Sequence, residues 1–180
     1  MKQPSSNAKN SNAISLLKSD HRMVEDLFKQ IESTRDDVEL AELVVALQTA
    51  LSVHTRIEEE VFYPALRASV SKAGDLLDEA AVEHGSAKHF LIELSTSTND
   101  DRFYRARLKV LKEHVNHHVR EEEEKLMPMA ESSDIDLDEL GALLSERRDT
   151  LMTALEQGMQ LPPSIGKPSA RASSAPRPPH

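Results

Sequence analysis

Residues 54–64 read HTRIEEEVFYP and residues 118–128 read HVREEEEKLMP, so one pattern recurs 64 positions along the chain. In each copy a glutamate follows a histidine by four residues, which places both side chains on one face of an α-helix, within reach of one metal ion. These pairs are His54 with Glu58 and His118 with Glu122. The repeat also indicates that the neighbouring pair in the second copy, His117 with Glu121, is out of register.

Apolar residues recur every three or four positions along most of the chain, as they do in amphipathic helices. These stripes predict an all-α protein with helices over residues 14–33, 38–67, 75–94 and 104–130, and a shorter helix after Asp136. Asp36 and Asp75 are predicted to cap the second and third helices. Because long helices with short connections pack as antiparallel neighbours, the expected fold is an up-down-up-down four-helix bundle with a short fifth C-terminal helix.

Each of the four long stripes carries one histidine in its middle third: His21, His54, His84 and His118. At ~1.5 Å per residue these histidines fall within about 10 Å of one level across the bundle. With Glu58 and Glu122, four imidazoles and two carboxylates would meet in the core and fill most of the coordination sphere of two metal ions that share the carboxylates. A buried glutamate costs several kcal/mol without a cationic partner, and no Lys or Arg lies on the stripes. The pattern therefore favours a two-metal site.

Simpler interpretations stay open for several residues. A single histidine in a core is more often hydrogen-bonded than metal-bound, and only the presence of four at one level changes that expectation. His114, one turn before the last of the four, could add a ligand, and His89 and His117 are undecided. Glu25 could hydrogen-bond a ligand histidine, but surface charge is favoured. A further set of glutamates is predicted to form a solvated helix face: Glu59, Glu60, Glu121, Glu123 and Glu124.

Composition excludes other classes of site and of protein. The chain has 180 residues, eight histidines and no cysteine, which rules out disulfides, iron–sulfur clusters and thiolate zinc sites. Its net charge of −9 argues against nucleic-acid binding. No stretch approaches 18 apolar residues, which argues against a membrane span. The polar start lacks the apolar segment of a secretory signal, so a cytoplasmic location is expected.

The two ends differ in composition from the middle of the chain. Residues 1–12 are rich in Ser, Asn and Lys, and residues 159–180 contain six of the nine prolines and no acid. Such segments bury too little apolar surface to fold, so both ends are predicted to be disordered tails, the second of them rich in Pro, Ser and Arg. The folded domain is predicted to span residues 13–158.

The segments LLKSDHRMVEDLF (16–28), HTRIEEEVFYPAL (54–66), LLDEAAVEHGSAK (76–88) and HHVREEEEKLMP (117–128) resemble bacterial hemerythrin-like proteins with the HHE cation-binding domain. The resemblance covers residues 14 to about 155. It implies a hemerythrin-type bundle around a non-haem di-iron centre, with manganese or zinc as other ions that such ligands accept. It assigns His21, His54 and Glu58 to one iron and His84, His118 and Glu122 to the other, with the glutamates bridging.

The oxygen-carrying hemerythrins differ from this chain at two ligands. They have a histidine pair four residues apart on the third helix, where this chain has His84 and Lys88. They have an aspartate five residues after the histidine of the fourth helix, where this chain has Glu122 four residues after His118. The resemblance therefore implies metal binding rather than reversible oxygen carriage.

The expected function is a di-iron protein that binds or senses O2, NO or peroxide, or that buffers iron, because six protein ligands leave open positions on two irons. Binding is favoured over turnover. One alternative is an enzyme of the same fold that degrades peroxide or reduces NO, and another is a metal-free helical interaction module. The expected partner is a small diatomic ligand or peroxide, with no nucleic acid and no membrane.

Overall fold

A computed structural model of the protein describes residues 12–159. Within that range seven α-helices follow one another: α1 (Ala13–Ser33), α2 (Asp37–Ile57), α3 (Tyr63–Ser69), α4 (Gly74–Thr96), α5 (Tyr104–Glu121), α6 (Met127–Glu131) and α7 (Leu137–Glu156). A π-helical turn, Glu58–Phe62, joins α2 to α3, and a second, Glu122–Leu126, joins α5 to α6. A 3-10 turn, Ser71–Ala73, precedes α4. Residues 12–159 contain no strand, so the predicted all-α class is confirmed.

Four long rods form the bundle: α1, α2 continued by α3, α4, and α5 continued by α6. Helix α1 packs against α2 and α4 packs against α5, while smaller contacts join α1 to α5 and α2 to α4. Because only residues 34–36 connect α1 to α2, these helices run antiparallel. The predicted four-helix bundle is confirmed, and the predicted fifth helix, α7, packs against α1 and α2.

Side-chain caps determine where some of the helices begin. Asp36 accepts hydrogen bonds from the backbone N–H of Val38 (2.8 Å) and of Glu39 (2.9 Å), so the predicted cap of α2 is confirmed. The predicted cap of α4 by Asp75 is wrong. Because the 3-10 turn runs directly into α4, the helix begins at Gly74 and Asp75 lies in its first turn.

Each π-helical turn begins at one of the two predicted ligand glutamates. The N–H of Tyr63 donates to the carbonyl of Glu58, and the N–H of Met127 donates to the carbonyl of Glu122, five residues back instead of four. A proline follows each turn, at positions 64 and 128. Since a proline ring clashes with the carbonyl four residues before it, a wider turn allows each rod to continue past its proline.

The apolar core consists of two clusters. The first is built from the start of α1, the end of α2, α3, the start of α4, α6 and α7, and it includes Phe62 and Leu144. The second is built from the remaining parts of α1, α2, α4 and α5, and it includes Phe28, Leu47 and Leu111. On every rod the predicted ligand histidine lies between residues of the two clusters, so the candidate site is a polar layer inside an apolar bundle.

The structure describes only the innermost residue of each predicted tail. Both tails lie outside the described residues, apart from Asn12 and Met159. Asn12 caps α1, because its side chain accepts a hydrogen bond from the N–H of Ser15 (2.9 Å). The limits of the predicted domain, 13–158, stay a prediction. Among the described helices, none is both long and apolar enough to cross a membrane.

We expect Leu144→Ala to lower the free energy of unfolding by about 2–5 kcal/mol, because Leu144 on α7 is fully buried in the first cluster. Leu143→Ala is the matched control. Leu143 is 48% exposed, so its truncation should change stability by less than about 0.5 kcal/mol. Urea denaturation followed by circular dichroism measures both variants, and equal stabilities would show that α7 does not belong to the core.

Candidate metal centre

The four histidines predicted from the stripes meet in the middle of the bundle, and each is at most 6% exposed. Their rings pair, with centroids 4.9 Å apart for His21 and His54 and 4.6 Å apart for His84 and His118. The Nε2 atoms of the second pair are 3.0 Å apart. Two ligand atoms that each lie ~2.1 Å from one ion are ~3.0–3.4 Å apart in octahedral or tetrahedral geometry, so the second pair is spaced for one ion.

The Glu58 side chain lies between the two histidine pairs and is fully buried. Its Oε1 is 3.2 Å from Nε2 of His54, and its Oε2 is 3.4 Å from Nε2 of His84. Each oxygen therefore faces a different histidine pair. A carboxylate that bridged two ions would have the same arrangement.

Glu122 takes the matching position in the second half of the chain. Its Oε2 is 3.3 Å from Nε2 of His21 and 3.6 Å from Nε2 of His118, so it also contacts both pairs. The six residues predicted as ligands are thus brought together. They form two groups whose donor atoms lie within 4.8 Å of one another and which share Glu58: His21, His54, Glu58 and Glu122 in one, and Glu58, His84 and His118 in the other.

Several inward-facing atoms of these groups make no hydrogen bond with any part of residues 12–159. They are Nε2 of His21, Nε2 of His54, both carboxylate oxygens of Glu58, and Oε2 of Glu122. A buried polar atom without a partner costs about 1–3 kcal/mol, and an unpaired carboxylate costs more. Metal ions would satisfy all five atoms, and iron, manganese and zinc all accept imidazole nitrogen with carboxylate oxygen. The residues present therefore fit a two-metal centre.

The outward nitrogen of each histidine, Nδ1, is held by a carboxylate from a neighbouring helix. The Nδ1–oxygen distances are 2.8 Å for His21 with Glu123, 3.4 Å for His54 with Asp20, 2.9 Å for His84 with Glu59 and 2.8 Å for His118 with Glu83. When Nδ1–H donates to the carboxylate, Nε2 presents its lone pair toward the centre. This is the tautomer that a metal ligand requires.

Outside each of these four outer carboxylates lies a basic side chain. The pairs are Arg22 with Glu123, Arg148 of α7 with Asp20, Lys88 with Glu59 (2.5 Å) and His117 with Glu83 (3.5 Å). Hydrogen bonding from His118 lowers the pKa of Glu83 below its usual value. Each outer carboxylate therefore lies between a buried imidazole and a basic group nearer the surface.

The prediction that Glu59 and Glu123 belong to a solvated face is wrong, because both side chains turn inward to a histidine. Glu60 and Glu124 are exposed, as predicted. Glu25 pairs with lysine and arginine side chains on its own helix, which confirms it as surface charge.

The four outer acids share a partial signal in the sequence. Asp20 and Glu83 each directly precede the histidine of their helix, and Glu59 and Glu123 each directly follow the buried glutamate of theirs. They recur at the same offsets of 63 and 64 residues as the predicted ligands. The exposed Glu60 and Glu124 are related by the same offset of 64 residues, so the repetition does not by itself single out the acids that turn inward.

The sequence over residues 12–130 matches the family described as Hemerythrin HHE cation binding domain. The match spans well over half of the chain and contains all six residues at the centre of the polar layer. The chain belongs to the hemerythrin HHE family. The resemblance predicted from the sequence motifs is confirmed.

Two known proteins are similar to this HHE domain. A crystal structure of a hemerythrin HHE cation binding domain-containing protein from Mycobacterium kansasii has a TM-score of 0.71 and 27% identity, and the match covers 82% of this chain and 91% of that chain. A DNA nickase from Nostoc sp. is 28% identical over 111 residues, which is 62% of this chain. This chain spans 31% of the length of the nickase.

The HHE domain also places Tyr63 at the centre, a residue that the sequence patterns did not single out. Its hydroxyl donates to Oε1 of Glu122 (2.8 Å) and lies 3.3 Å from Nε2 of His84, on whose ring it stacks. Burial and the nearby carboxylates raise the pKa of Tyr63 well above its usual value, so the hydroxyl keeps its proton. The repeat has Met127 at the equivalent position, so only one half of the chain supplies this group.

Burial largely determines which groups of the centre carry protons. It lowers the pKa of His84 to about 4 and also lowers the pKa of His54, so both are neutral at pH 7. Burial raises the pKa of Glu58 well above its usual value, and the charge of Glu122 adds to the shift. Although burial opposes it, the charge of Glu122 raises the pKa of His118. Metal-free protein therefore favours protons at Glu58 and His118, which a bound metal would displace.

The three histidines left undecided by the sequence lie outside both groups of the HHE centre. His89 is 73% exposed and faces Glu93 at 3.8 Å. His117 lies nearer the surface, where it forms a separate group with Glu83 and Glu121. His114 is half-buried, with its Nε2 atom fully buried.

A cavity of about 20 Å³ borders the four central histidines, which is room for one water-sized molecule. Most of its remaining walls are apolar: Val24, Leu51, Ala87, Val115 and Val119. Thr55, Glu83 and His114 supply the other side chains. The HHE domain therefore has a small, largely apolar space next to the rings of the four central histidines.

We expect Glu59→Gln and Glu123→Gln to weaken metal binding by about 10- to 100-fold, because each removes a charged partner of an imidazole Nδ1. Competition with a chromophoric chelator measures the affinity. The adjacent, exposed Glu60→Gln and Glu124→Gln are matched controls and should bind metal like the unmodified protein. An equal loss in all four variants would attribute the effect to overall negative charge instead of the imidazole contacts.

Proposed function

We propose that this HHE domain binds two iron ions in the polar layer of its bundle, with manganese and zinc as the alternative ions. One ion is held by His21, His54 and Glu58, and the other by His84, His118 and Glu122, with both glutamates shared. The supporting observation is that inward atoms of the layer lack hydrogen bonds within residues 12–159, while a carboxylate holds every histidine from outside. A histidine layer that served packing alone would not be expected to leave both oxygens of Glu58 and the Nε2 atoms of His21 and His54 without hydrogen bonds.

In this proposal the protein is cytoplasmic, and its bound iron takes up O2, NO or peroxide so that the protein binds or senses that molecule. Alternatively, the protein buffers iron. Six protein ligands are fewer than two six-coordinate ions require, so each ion has open positions. The cavity beside the histidines has room for a water-sized molecule, which suits a diatomic ligand or peroxide.

Iron, when bound, supplies the ligand binding and one-electron chemistry that side chains lack. The residues of the chain position and protect it. Each outer carboxylate orients an imidazole and increases its basicity through the Nδ1 proton. The Tyr63 hydroxyl donates to Glu122 and so restrains that carboxylate between the two histidine pairs. The apolar cavity walls exclude bulk water from the inward side of the histidines.

An enzyme of the same fold, which degrades peroxide or reduces NO, is the second candidate. Tyr63 favours it, because its hydroxyl, 2.8 Å from Glu122 and 3.3 Å from Nε2 of His84, is a hydrogen-bond donor at the centre. Consumption of peroxide distinguishes the two functions. A binding protein consumes a stoichiometric amount, whereas an enzyme sustains consumption over many turnovers.

DNA cleavage is not part of the proposed function, although one similar protein is a DNA nickase. The similarity spans 31% of the nickase, so most of that protein has no counterpart in this chain. The net charge of −9 would also repel a phosphate backbone.

Protein purified from iron-replete cells should contain close to two irons per chain, measured by mass spectrometry of the metal. His54→Ala and His118→Ala should each lose at least one iron, because each removes a nitrogen from one of the two groups. His89→Ala is the matched control, since this histidine is exposed, and should retain full iron content. Iron content near zero in the unmodified protein would refute the proposed centre.

Metal should raise the thermal midpoint at pH 7.5 by about 5–10 °C. Metal that binds only the folded state adds ~2.7 kcal/mol to the free energy of unfolding when its concentration is a hundredfold above Kd. For a chain of this size, each 1 kcal/mol shifts the thermal midpoint by ~2–4 °C. The measurement is a pair of melts, one with metal and one after chelation.

The gap between these two midpoints should narrow at pH 5. The raised pKa of His118 stabilises the metal-free fold in acid, and this contribution is lost as the pH rises through that pKa. The proton on His118 also competes with the metal for that imidazole in acid. Greater stability of the metal-free fold and weaker metal binding both reduce the difference between the two midpoints. Equal midpoints with and without metal at pH 7.5 would contradict a metal centre at this layer.

A further inference from the structure

One of the four outer carboxylates, that of Glu83, differs from the others in the basic group that lies outside it. The other three are each paired with an arginine or a lysine: Glu123 with Arg22, Asp20 with Arg148 and Glu59 with Lys88. Within the described part of the chain, the basic groups near Glu83 are imidazoles only, and the outer one belongs to His117. Because an imidazole carries no fixed charge, Glu83 lacks the permanent cation that its three counterparts have.

The fifth helix accounts for this difference between the two halves of the chain. Helix α7 packs against α1 and α2, where it supplies Arg148, and it covers Val53 and Ile57 in the first apolar cluster. At the offset of 64 residues that relates the two halves, the equivalents of these two apolar residues on α5 are His117 and Glu121. The chain therefore has two residues of metal-ligand type on α5 where α2 has residues that α7 buries.

The imidazole of His117 lies between two carboxylates, one on its own helix and one on α4. Its Nε2 is 3.5 Å from Oε1 of Glu83 and 3.9 Å from Oε2 of Glu121. The other oxygen of each carboxylate is already engaged, by Nδ1 of His118 (2.8 Å) for Glu83 and by Lys125 for Glu121. Each acid is thus held through one oxygen while its second oxygen faces His117.

The two distances from His117 suit a shared ion better than direct hydrogen bonds. Hydrogen bonds between N–H and oxygen span about 2.7–3.2 Å, which is shorter than either distance. Two ligand atoms of one zinc ion are about 3.0–3.4 Å apart, so small movements of these side chains would bring both oxygens into range. Glu83, His117 and Glu121 each offer one ligand atom, and these atoms lie within 4.8 Å of one another.

We propose that Glu83, His117 and Glu121 form a third metal site, at the surface between α4 and α5, which binds a divalent cation such as Zn²⁺. One imidazole nitrogen and two carboxylate oxygens, with water as the remaining ligand, suit zinc and are also accepted by manganese and iron. The bound cation supplies outside Glu83 the positive charge that Arg148 supplies outside Asp20. This site lies outside the buried layer, so the inference does not rest on the proposed two-iron centre.

The test is a zinc titration of the purified protein, with bound zinc measured by mass spectrometry of the metal after equilibrium dialysis. We expect one zinc ion per chain that depends on His117, with a Kd in the micromolar range. His117→Asn and Glu121→Gln should each raise this Kd by at least about 10-fold, a loss that even the partner of a metal ligand produces when it is removed. Both side chains lie outside the apolar core, so the variants should retain the fold.

A third variant should bind zinc more tightly. Lys125 forms an ion pair with Glu121 and so competes with a cation for that carboxylate. Because exposed ion pairs contribute up to about 1 kcal/mol, Lys125→Gln should lower the zinc Kd by about 2- to 5-fold. A higher Kd in this variant would contradict zinc binding at Glu121.

Matched controls come from the same residue types elsewhere on the surface. His89 faces Glu93 one turn later on α4, at 3.8 Å, but this pair belongs to no group of three ligand-type residues within residues 12–159. His89→Asn and the exposed Glu124→Gln should therefore leave the zinc Kd unchanged. Zinc binding that is unaffected by His117→Asn and Glu121→Gln would overturn the inference. An equal loss in His89→Asn would overturn it too, because zinc would then bind surface histidines in general.

Iron content, measured in the same samples, separates this inference from the proposed function. Iron near zero together with zinc that depends on His117 would refute the two-iron centre and support the third site. Two irons per chain without such zinc would support the centre and overturn the third site. A loss of iron in His117→Asn would also overturn the inference, because His117 would then serve the buried centre.

Discussion

Two carboxylates, Glu58 and Glu122, are completely buried in the middle of an apolar bundle, and the surrounding structure is organised by the need to balance their charge. Alone, such groups would cost several kcal/mol each. Their oxygens contact the Nε2 atoms of four histidines, none of which carries a fixed positive charge. Two metal ions placed between the carboxylates and imidazoles would supply the missing charge and the missing contacts at once.

Outside the layer of histidines and buried glutamates, acidic and basic side chains alternate toward the surface. Each imidazole donates to an outer carboxylate, and each outer carboxylate faces a basic group nearer the surface. Helix α7 lies beyond the family match, yet it supplies Arg148 to Asp20 and packs its leucines into the core next to α1 and α2. The fifth helix therefore belongs to the site as well as to the fold.

The two halves of the chain agree at the predicted ligands and differ around them. Tyr63, Thr55 and His114 all have apolar counterparts at the equivalent positions of the other half, namely Met127, Val119 and Ala50. Two ions in equivalent positions would need equivalent ligands, and the repeat would supply them. The hydrogen bond from Tyr63 to Glu122 has no counterpart in the other half, so the two ion positions would not have identical surroundings.

The amino-acid sequence by itself determined the helices, the bundle and the level at which six ligand-type residues meet. Helical periodicity shows which face of each helix is apolar, and short connections require neighbouring helices to pack those faces together. It did not reveal which glutamates turn inward: Glu59 and Glu60 are neighbours in one acidic run, and only the approach of α4 makes the first a partner of His84. The π-helical turns, the hydroxyl of Tyr63 at the centre and the cavity likewise emerged only from the tertiary structure. Periodicity is a property of one helix, whereas a side chain's partner depends on the rotation and distance of the helix packed against it, and those are decided by the whole core.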